Sequence, residues 1–266
     1  MRRDAIPLEE ERLQGIDDID QYPWFKERHR IFPAAFEERQ HRKVLDIAAG
    51  VGCAAKRIQD NYPAVVWCND VSPTCLSLLQ RLGLRTVSFD LDDPDLTFPF
   101  QDGEFDAVVA LVTIEHILSV DHFLSEIRRI LCDGGYLYIS APNYAAPDYL
   151  LPLMLSGRTF HDPMGQERYE FLAHVRYYTY RTLLEFVRSF GFAPEAVYVP
   201  LPGGSSRYRR LYARQKSLAL AYRSARWLMF RVLSPSWAPE PIICFQKNSL
   251  DGLRPQGWRA LRKVVL

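Results

Sequence analysis

The 266-residue sequence lacks several features that would place it in a specialised class of protein. Its longest apolar runs, such as residues 107–114, are well short of the ~20 residues that a membrane-spanning helix needs. No apolar segment follows Arg2 and Arg3, so no secretory signal is predicted. Neither internal repeats nor low-complexity tracts occur. The 48% hydrophobic and 24% charged residues are typical of a globular domain.

The five cysteines do not form a recognisable framework. Their number is odd, and none belongs to a C-x-x-C pair. A disulfide scaffold or a structural zinc site is therefore not expected, and we predict no metal site. A reducing, cytoplasmic environment fits this cysteine usage.

Acidic residues are missing from a long segment near the C-terminus. Residues 203–239 contain eight basic and no acidic side chains, whereas residues 1–202 carry 20 basic and 30 acidic ones. Aromatic and apolar residues alternate with the basic ones. The pattern fits a basic helical insertion that packs on the same chain or in a homodimer, a peripheral contact with a membrane surface, or, less readily, nucleic acid.

Strand and helix patterns alternate from residue 44 to residue 140. Apolar strands are predicted at 44–47, 64–69, 85–89, 105–111 and 136–140, with helices between them. Two further strands are predicted at 196–201 and 242–247, and a helix over 24–40 follows an acidic arm at 1–20 that we expect to be loosely held. This order predicts a doubly wound α/β sheet.

The stretch from Val44 to Gly52 (VLDIAAGVG) is the most informative part of the sequence. It predicts a buried strand, an acid at the strand's end, and a glycine-containing loop that opens a helix. Residues 50–55 match the dinucleotide fingerprint G-x-G-x-x-A, and Asp70 follows about 20 residues later. One interpretation is therefore an NAD-dependent oxidoreductase.

Asp46 favours another ligand. A carboxylate just below the loop would repel a pyrophosphate but suit a ligand that has an amino group and no phosphate. S-adenosylmethionine is such a ligand, because it carries a sulfonium, an ammonium and a ribose.

At this point the sequence resembles the class I S-adenosylmethionine-dependent methyltransferases, in their small-molecule (type 11-like) branch. Residues 44–52 are similar to the first motif of that family, with Ala48 where a glycine is usual. The stretches 69–73, 90–91, 98–106, 114–117, 131–136, 141–143 and 174–179 resemble later motifs in the same order. The resemblance implies a Rossmann-like seven-stranded, mostly parallel sheet whose last strand is antiparallel.

The resemblance also implies residue roles and a domain organisation. The methyltransferase domain would span 41–248, with a lid-like insertion at 143–175 and the basic helical insertion at 203–239. An arm and cofactor-covering helix at 1–40 would precede this domain, and a tail at 249–266 would follow it. The residues expected to contact S-adenosylmethionine are Tyr22, Asp46, Ala48, Ala49, Gly50, Gly52, Asp70, Val71, Asp90, Leu91, Val112 and Thr113.

Methyl transfer from a sulfonium is an in-line displacement that mainly requires alignment of the nucleophile. A base is needed only for a nucleophile that loses a proton, such as a hydroxyl. Glu115 and His116 follow the fourth strand, and histidine titrates near neutral pH, so both are candidate catalytic residues. Alternatively, Glu115 only binds backbone or cofactor and His116 only packs. The substrate-pocket candidates are Tyr149, His161, His174 and Tyr178. We predict O-methylation of a small-molecule or lipid- or glycan-linked acceptor, with a non-catalytic cofactor-binding protein as the alternative.

Overall fold

One mixed β-sheet organises the chain in a computed structural model that describes residues 5–158, 173–248 and 261–266. Its strand order is β3-β2-β1-β4-β5-β7-β6-β8. Only β7 runs antiparallel to its neighbours β5 and β6. The strands are β1 (Lys43–Ile47), β2 (Val65–Asn69), β3 (Arg85–Val87), β4 (Phe105–Leu111), β5 (Leu131–Ser140), β6 (Phe192–Val199), β7 (Ile242–Lys247) and β8 (Arg262–Val265).

Helices cover both faces of the sheet. The described helices are α1 (Ala5–Arg12), α2 (Glu27–Arg30), α3 (Cys53–Asn61), α4 (Pro73–Arg81), α5 (Val120–Ile130), α6 (Pro147–Ser156), α7 (Tyr180–Arg188), α8 (Ser206–Arg214) and α9 (Lys216–Val232). Helices α5 and α7 belong to one buried cluster, and α3 and α4 contribute to a second. The two clusters lie on opposite faces, because neighbouring strand residues such as Val44 and Leu45 belong to different clusters.

Local sequence explains how individual elements begin. The Ser72 hydroxyl accepts a hydrogen bond from the Cys75 backbone N–H, and Pro73 occupies the first turn of α4. Serine and proline are favoured at these two positions, because serine satisfies a free donor and proline has none to lose. On α5, Phe123, Leu124 and Ile127 form a fully buried face. This spacing of three and four residues places their side chains against the sheet.

The predicted fold class is confirmed. The parallel arrangement and the antiparallel β7 are as expected, and α8 and α9 lie between β6 and β7. An eighth strand, β8, pairs in parallel with β6 in the region predicted as a tail. Strand β6 spans Phe192–Val199 rather than 196–201, β3 is shorter than predicted, and β5 begins five residues earlier than predicted.

The N-terminal segment differs from prediction. Residues 24–40 form only α2 and a 3-10 turn at Ala34–Phe36, with a cis peptide bond before Pro33. The arm at 1–20 was expected to be loose, but Leu13 and Ile16 are buried against Val51 and Leu78. Glu10 also hydrogen-bonds the hydroxyls of Ser72 and Thr74 at the start of α4. A few apolar anchors and one acid in an otherwise polar segment therefore hold this arm.

Candidate functional site

The loop after β1 turns sharply at the carboxyl edge of the sheet. Ala48, Gly50 and Gly52 all have positive φ angles, of 51°, 57° and 88°. Such angles suit glycine and strain most other residues, so Ala48 tolerates a conformation that glycine would adopt freely. The backbone N–H of Ala49 donates to the Asn69 carbonyl at 2.9 Å, which ties the loop to β2.

Gly52 suits its position through its positive φ and through its missing side chain. A Cβ atom at this position would lie 2.9 Å from Leu79 Cδ2 and 3.2 Å from Leu82 Cδ1. The missing side chain lets α3 begin directly against α4 and its C-terminal turn. Gly52 was predicted to contact the cofactor, and it does not line the cleft described below.

Asp70 links the loop to the end of β2. Its Oδ2 accepts a hydrogen bond from the Gly50 N–H at 2.8 Å, and its Oδ1 accepts one from the Ser72 N–H at 2.9 Å. Burial raises the pKa of Asp70 to about 6, although these backbone bonds oppose the shift. The carboxylate is thus held in one orientation at the wall of the cleft.

Asp46 lies beneath the loop, at the end of β1. The residue is buried, and its Oδ2 has no hydrogen-bond partner among the described residues. Burial raises the pKa of Asp46 to about 7, because the charged form is poorly solvated there. An acid left unsatisfied beside a cleft is a potential acceptor for a cationic or hydrogen-bond-donating ligand.

A cleft with a volume of about 230 Å³ opens above these residues. Nine of the twelve predicted cofactor residues line it: Tyr22, Ala48, Ala49, Gly50, Asp70, Val71, Leu91, Val112 and Thr113. Asp46 and Gly52 support the loop instead. Asp90 does not line the cleft either, and its Oδ1 accepts a hydrogen bond from the Asp92 N–H at 3.0 Å.

Val112 follows β4 with a φ of 55°. A β-branched residue in this region is a marked exception, and such strain is concentrated at functional sites. The sequence did not predict it, since valine favours extended backbone. The unusual turn directs the chain from β4 into the 3-10 turn Ile114–His116, which carries both candidate catalytic residues.

Glu115 is fully buried, and neither of its carboxylate oxygens has a hydrogen-bond partner among the described residues. Burial raises the pKa of Glu115 to about 8, and its own backbone N–H and the nearby Arg28 guanidinium partly oppose the shift. Arg28 is itself buried and paired with Glu240, which precedes β7. A carboxyl group with such a pKa can hold or release a proton near neutral pH.

His116 and His174 face each other at the cleft. Their ring centroids are 4.7 Å apart in an edge-to-face arrangement. His116 Nδ1 lies 3.1 Å from the Ala173 carbonyl oxygen, which can only accept a hydrogen bond, so the proton of a neutral His116 ring is placed on Nδ1. His174 Nδ1 lies 3.0 Å from the Tyr144 hydroxyl.

The three side chains Glu115, His116 and His174 are also types that bind metal ions. One ligand atom from each lies within 4.8 Å of the others. In a formed tetrahedral zinc site, nitrogen and oxygen ligands lie about 3.3 Å apart. The present set extends up to 4.8 Å, so its side chains would have to move closer together to coordinate an ion.

The predicted substrate-pocket residues do not all lie in the cleft. His174 lines the cleft, while Tyr149 and Tyr178 are buried nearby. The Tyr149 and Tyr144 rings are 5.0 Å apart. His161 lies outside the described residues, as does much of the predicted lid at 143–175.

Several cleft residues were not predicted. Most of them come from the N-terminal segment, where the basic run Lys26–Arg30 interrupts an acidic region and is the one sequence signal that could have indicated a site. The unpredicted lining residues are Glu9, Arg12, Lys26, Arg28, His29, Cys53, Asn69, Leu111 and Ile117, whereas Trp24 and Val51 also line the cleft and belong to segments that the sequence places against the cofactor.

Comparison with known proteins identifies the family. The profile of a family described as "Methyltransferase domain" matches residues 16–197, which is more than half of the chain. The chain belongs to the methyltransferase domain family. This methyltransferase family assignment confirms the predicted class I S-adenosylmethionine-dependent group and S-adenosylmethionine as its cofactor, in place of the dinucleotide of an oxidoreductase.

Curated relatives of this methyltransferase-family chain share about a third of the aligned residues. A malonyl-[acyl-carrier protein] O-methyltransferase of Geobacter sulfurreducens is 33% identical over 46% of this chain and 48% of the relative. A demethylmenaquinone methyltransferase of Tropheryma whipplei is 31% identical over 42% and 48%. The chain thus spans about half the length of these relatives.

Solved structures show the same fold at low identity. A methyltransferase of Thermotoga maritima, described as a possible histamine N-methyltransferase, has a TM-score of 0.55 at 16% identity and covers 84% of this chain and 90% of its own. The [4+2]-cyclase SpnF has a TM-score of 0.56 at 17% identity and covers 92% and 94%. Because one of these proteins is described as a cyclase, the fold alone does not specify the reaction.

The site residues fit S-adenosylmethionine. Two acids, Asp46 and Asp70, lie at the strand ends, and the loop between them carries no basic residue. Asn69 Oδ1 and Asp46 Oδ2 are buried acceptors without partners among the described residues. These are acceptors for the ammonium and hydroxyl donors of such a ligand, and they would disfavour a phosphate.

Proposed function

We propose that the chain is an S-adenosylmethionine-dependent methyltransferase that acts on an oxygen atom of a small-molecule or lipid- or glycan-linked acceptor. One observation carries the proposal: the cleft joins an acidic cofactor wall, at Ala48–Gly50 and Asp70, to a wall with an acid–base cluster, at His116 and His174. Each wall alone could serve simple binding, but their shared cleft suits a transfer reaction.

The cofactor wall has a holding role. Asp70 would bind the ribose hydroxyls, with its orientation fixed by the Gly50 and Ser72 N–H groups. Asp46 and the backbone at 48–50 would hold the amino-acid end, and Leu91 would pack beside the adenine. When bound, S-adenosylmethionine supplies an electrophilic methyl group on a positively charged sulfur.

His116 would accept the proton of an acceptor hydroxyl. Its Nδ1–H is directed to the Ala173 carbonyl, so Nε2 of the neutral ring carries the lone pair that a base needs. His174, fixed through the Tyr144 hydroxyl, would orient the acceptor on the same wall. The side chains therefore align a hydroxyl for in-line displacement and remove its proton.

Glu115 would tune this wall. Near neutral pH its protonated form predominates, so it adds no full negative charge next to the acidic cofactor wall. A proton on Glu115 would also be available to the neighbouring histidines. This role differs from that of a fixed carboxylate such as Asp70.

Two relatives support the acceptor class. One is named for malonyl-[acyl-carrier protein] O-methylation and another for demethylmenaquinone methylation. The first name describes an acceptor linked to a carrier protein, and the second describes demethylmenaquinone. A carrier- or lipid-linked acceptor is thus consistent with the names of these relatives. The side chains that line this chain's own pocket would determine which acceptor binds.

We further propose a cytoplasmic protein that contacts the membrane surface peripherally through 203–239. All five cysteines are free thiols, which suits a reducing compartment. Within the described residues, no helix is long and apolar enough to cross a membrane. Arg207, Arg210 and Arg214 of α8 are exposed, and each basic side chain near anionic lipid contributes about 1 kcal/mol.

Calorimetry with S-adenosylmethionine and S-adenosylhomocysteine tests the cofactor wall, and methyl transfer to hydroxyl-bearing acceptors tests the other wall. We expect binding of both ligands, and loss of turnover but not of cofactor binding in His116→Asn. If neither ligand binds up to millimolar concentration and Asp70→Ala has no effect, the proposal is wrong. Cofactor binding without turnover of any acceptor would favour a non-catalytic protein.

A further inference from the structure

Helix α6 exposes an apolar surface that nothing in the described chain covers. Residues 149–157 contain no charged side chain, and every residue from 150 to 158 is exposed. Leu155 is 83% exposed and Met154 is 70% exposed. The large apolar side chains that α6 exposes are Leu150, Leu151, Leu153, Met154 and Leu155.

The length of α6 decides between two kinds of apolar environment. A helix that is apolar on all sides is normally buried in a protein core or in lipid. At ten residues, α6 is about 15 Å long, which is half of the thickness of a bilayer's hydrocarbon region. The helix is therefore suited to lie in a membrane interface rather than to cross it.

Helix α9 contacts α6 and carries an exposed apolar stripe of its own. Arg226 of α9 and Asp148 of α6 form an ion pair at 3.8 Å, so the two helices are neighbours. Ala219 and Phe230 of α9 are buried and face the protein. A second apolar stripe faces away from it, with exposed residues recurring every three or four positions: Leu218, Tyr222, Ala225, Leu228 and Val232.

Charge indicates what covers the joint surface. The segment 203–239, which includes α8 and α9, has eight basic and no acidic side chains. A symmetric homodimer would place the same patch of each copy against the other, and like charges would repel. An anionic bilayer complements both properties, since it offers apolar chains to α6 and the α9 stripe and negative headgroups to the arginines.

We propose that α6 and α9, flanked by the basic α8, form one docking face for an anionic lipid bilayer. The face adjoins the site. Tyr149 of α6 is buried with its ring 5.0 Å from that of Tyr144, whose hydroxyl contacts His174 in the cleft. Docking would thus bring the acceptor wall next to the lipid. On this view the acceptor is an amphiphile whose apolar tail is held in the bilayer. This inference about the acceptor rests on the proposed methyltransferase function.

Vesicle sedimentation of the full chain tests the docking face. The vesicles are pure phosphatidylcholine and an equal mixture of phosphatidylcholine and phosphatidylglycerol. We expect sedimentation with the anionic vesicles only, weakened by added salt. The double substitution Leu151→Ser, Leu155→Ser should lower partitioning about tenfold or more, through loss of apolar burial. Charge reversal of Arg207, Arg210 and Arg214 to Glu should abolish it.

Val65→Ser is the matched control, because Val65 is an exposed apolar residue on β2, away from both helices. It should leave partitioning unchanged. Equal sedimentation of wild type and the α6 double variant, or no sedimentation of wild type with anionic vesicles, would overturn the proposal. So would a dimer in light scattering that Leu228→Asp converts to monomer, since the face would then bind a second copy.

Calorimetry with S-adenosylhomocysteine on the same samples separates the two proposals. A protein that binds the cofactor product but not vesicles keeps the methyltransferase proposal and loses the docking face. A protein that binds vesicles but not the cofactor product loses the methyltransferase proposal, and with it the lipid-tailed acceptor. Retained cofactor-product binding in the α6 double variant shows that it is folded, so its loss of vesicle binding supports the docking face.

Discussion

The two walls of the cleft are built in different ways. The cofactor wall comes from short connections after β1 and β2, and its key contact joins Gly50 to Asp70, 20 residues apart. The opposite wall depends on contacts such as Arg28 with Glu240, 212 residues apart. The first is encoded in a local motif, whereas the second exists only when distant segments meet.

The difference extends to charge. The acids of the cofactor wall lie next to loop N–H groups, which stabilise the charged form of Asp70. On the other wall, neither carboxylate oxygen of Glu115 has a described hydrogen-bond partner, and the nearby backbone N–H of Glu115 and guanidinium of Arg28 only partly compensate its burial. Backbone N–H groups fix the acid of the cofactor wall, whereas the guanidinium of Arg28 lies beside the acid of the opposite wall. Substitutions should therefore affect the two walls separately.

Arg28→Met should have the largest effect. It leaves Glu240 without its partner and removes the cation near Glu115, so we expect a loss of about 3–5 kcal/mol in the free energy of unfolding. Urea denaturation measures it. Lys56→Met, which breaks an exposed pair with Asp60, is the control and should cost less than about 1 kcal/mol. Equal losses in both variants would contradict the contrast between the walls.

Asp70→Ala should have the second-largest effect, and this effect should be confined to the cofactor wall. It removes a charged acceptor held by two backbone N–H groups, so the Kd for S-adenosylmethionine should rise about 100-fold by calorimetry. Asp93→Ala, at an exposed loop aspartate, should leave the Kd unchanged. A rise of less than about threefold for Asp70→Ala would show that the loop holds the ligand without this carboxylate.

Glu115→Gln should stabilise the protein at high pH. The pKa of Glu115 is about 8 in the folded chain against an ordinary value of 4.5, so the folded state retains a proton that the unfolded state loses. Wild-type stability therefore falls as pH rises from 4.5 to about 8, and the amide avoids this loss.

The difference in melting temperature between Glu115→Gln and wild type measures this effect. It should grow across the same pH window and level off above it, and each unit of pKa shift corresponds to about 1.4 kcal/mol in the free energy of unfolding. Arg28, Glu240 and the two histidines remain in both proteins, so the difference reports on Glu115. A difference that does not change with pH would contradict the raised pKa.

Ala48→Gly should have the smallest effect. Glycine relieves the strain of a φ of 51°, but it also adds freedom to the unfolded chain, so we expect a net gain of about 0.5 kcal/mol. Ala145→Gly, at an exposed turn residue without positive φ, should cause a small loss. If Ala48→Gly also destabilises the protein, the methyl group of Ala48 must make a favourable contact.

The sequence predicts the loop after β1 and its place at the cleft well, because strand, acid and glycine loop are contiguous. It also places His116 correctly beside the cleft, since that residue follows a strand that is easily recognised. It does not predict Arg28, whose partner is remote, or the φ of Val112, which runs against the preference of valine. Likewise the acidic segment around Leu13 and Ile16 gives only a weak periodic signal, although both residues are buried by the loop and α4.

The pairing of Arg28 with Glu240 also bears on the time course of biosynthesis. Strands β1, β2 and β4 can associate once the first 111 residues have been made. Arg28 then lacks the carboxylate that its guanidinium hydrogen-bonds until the ribosome has added more than a hundred further residues, up to Glu240. Burying an uncompensated guanidinium is costly, so the nascent chain should keep this segment hydrated and the cleft open. Closure of the N-terminal cover would thus be one of the last events of folding, and would mark a chain whose seventh strand is in place.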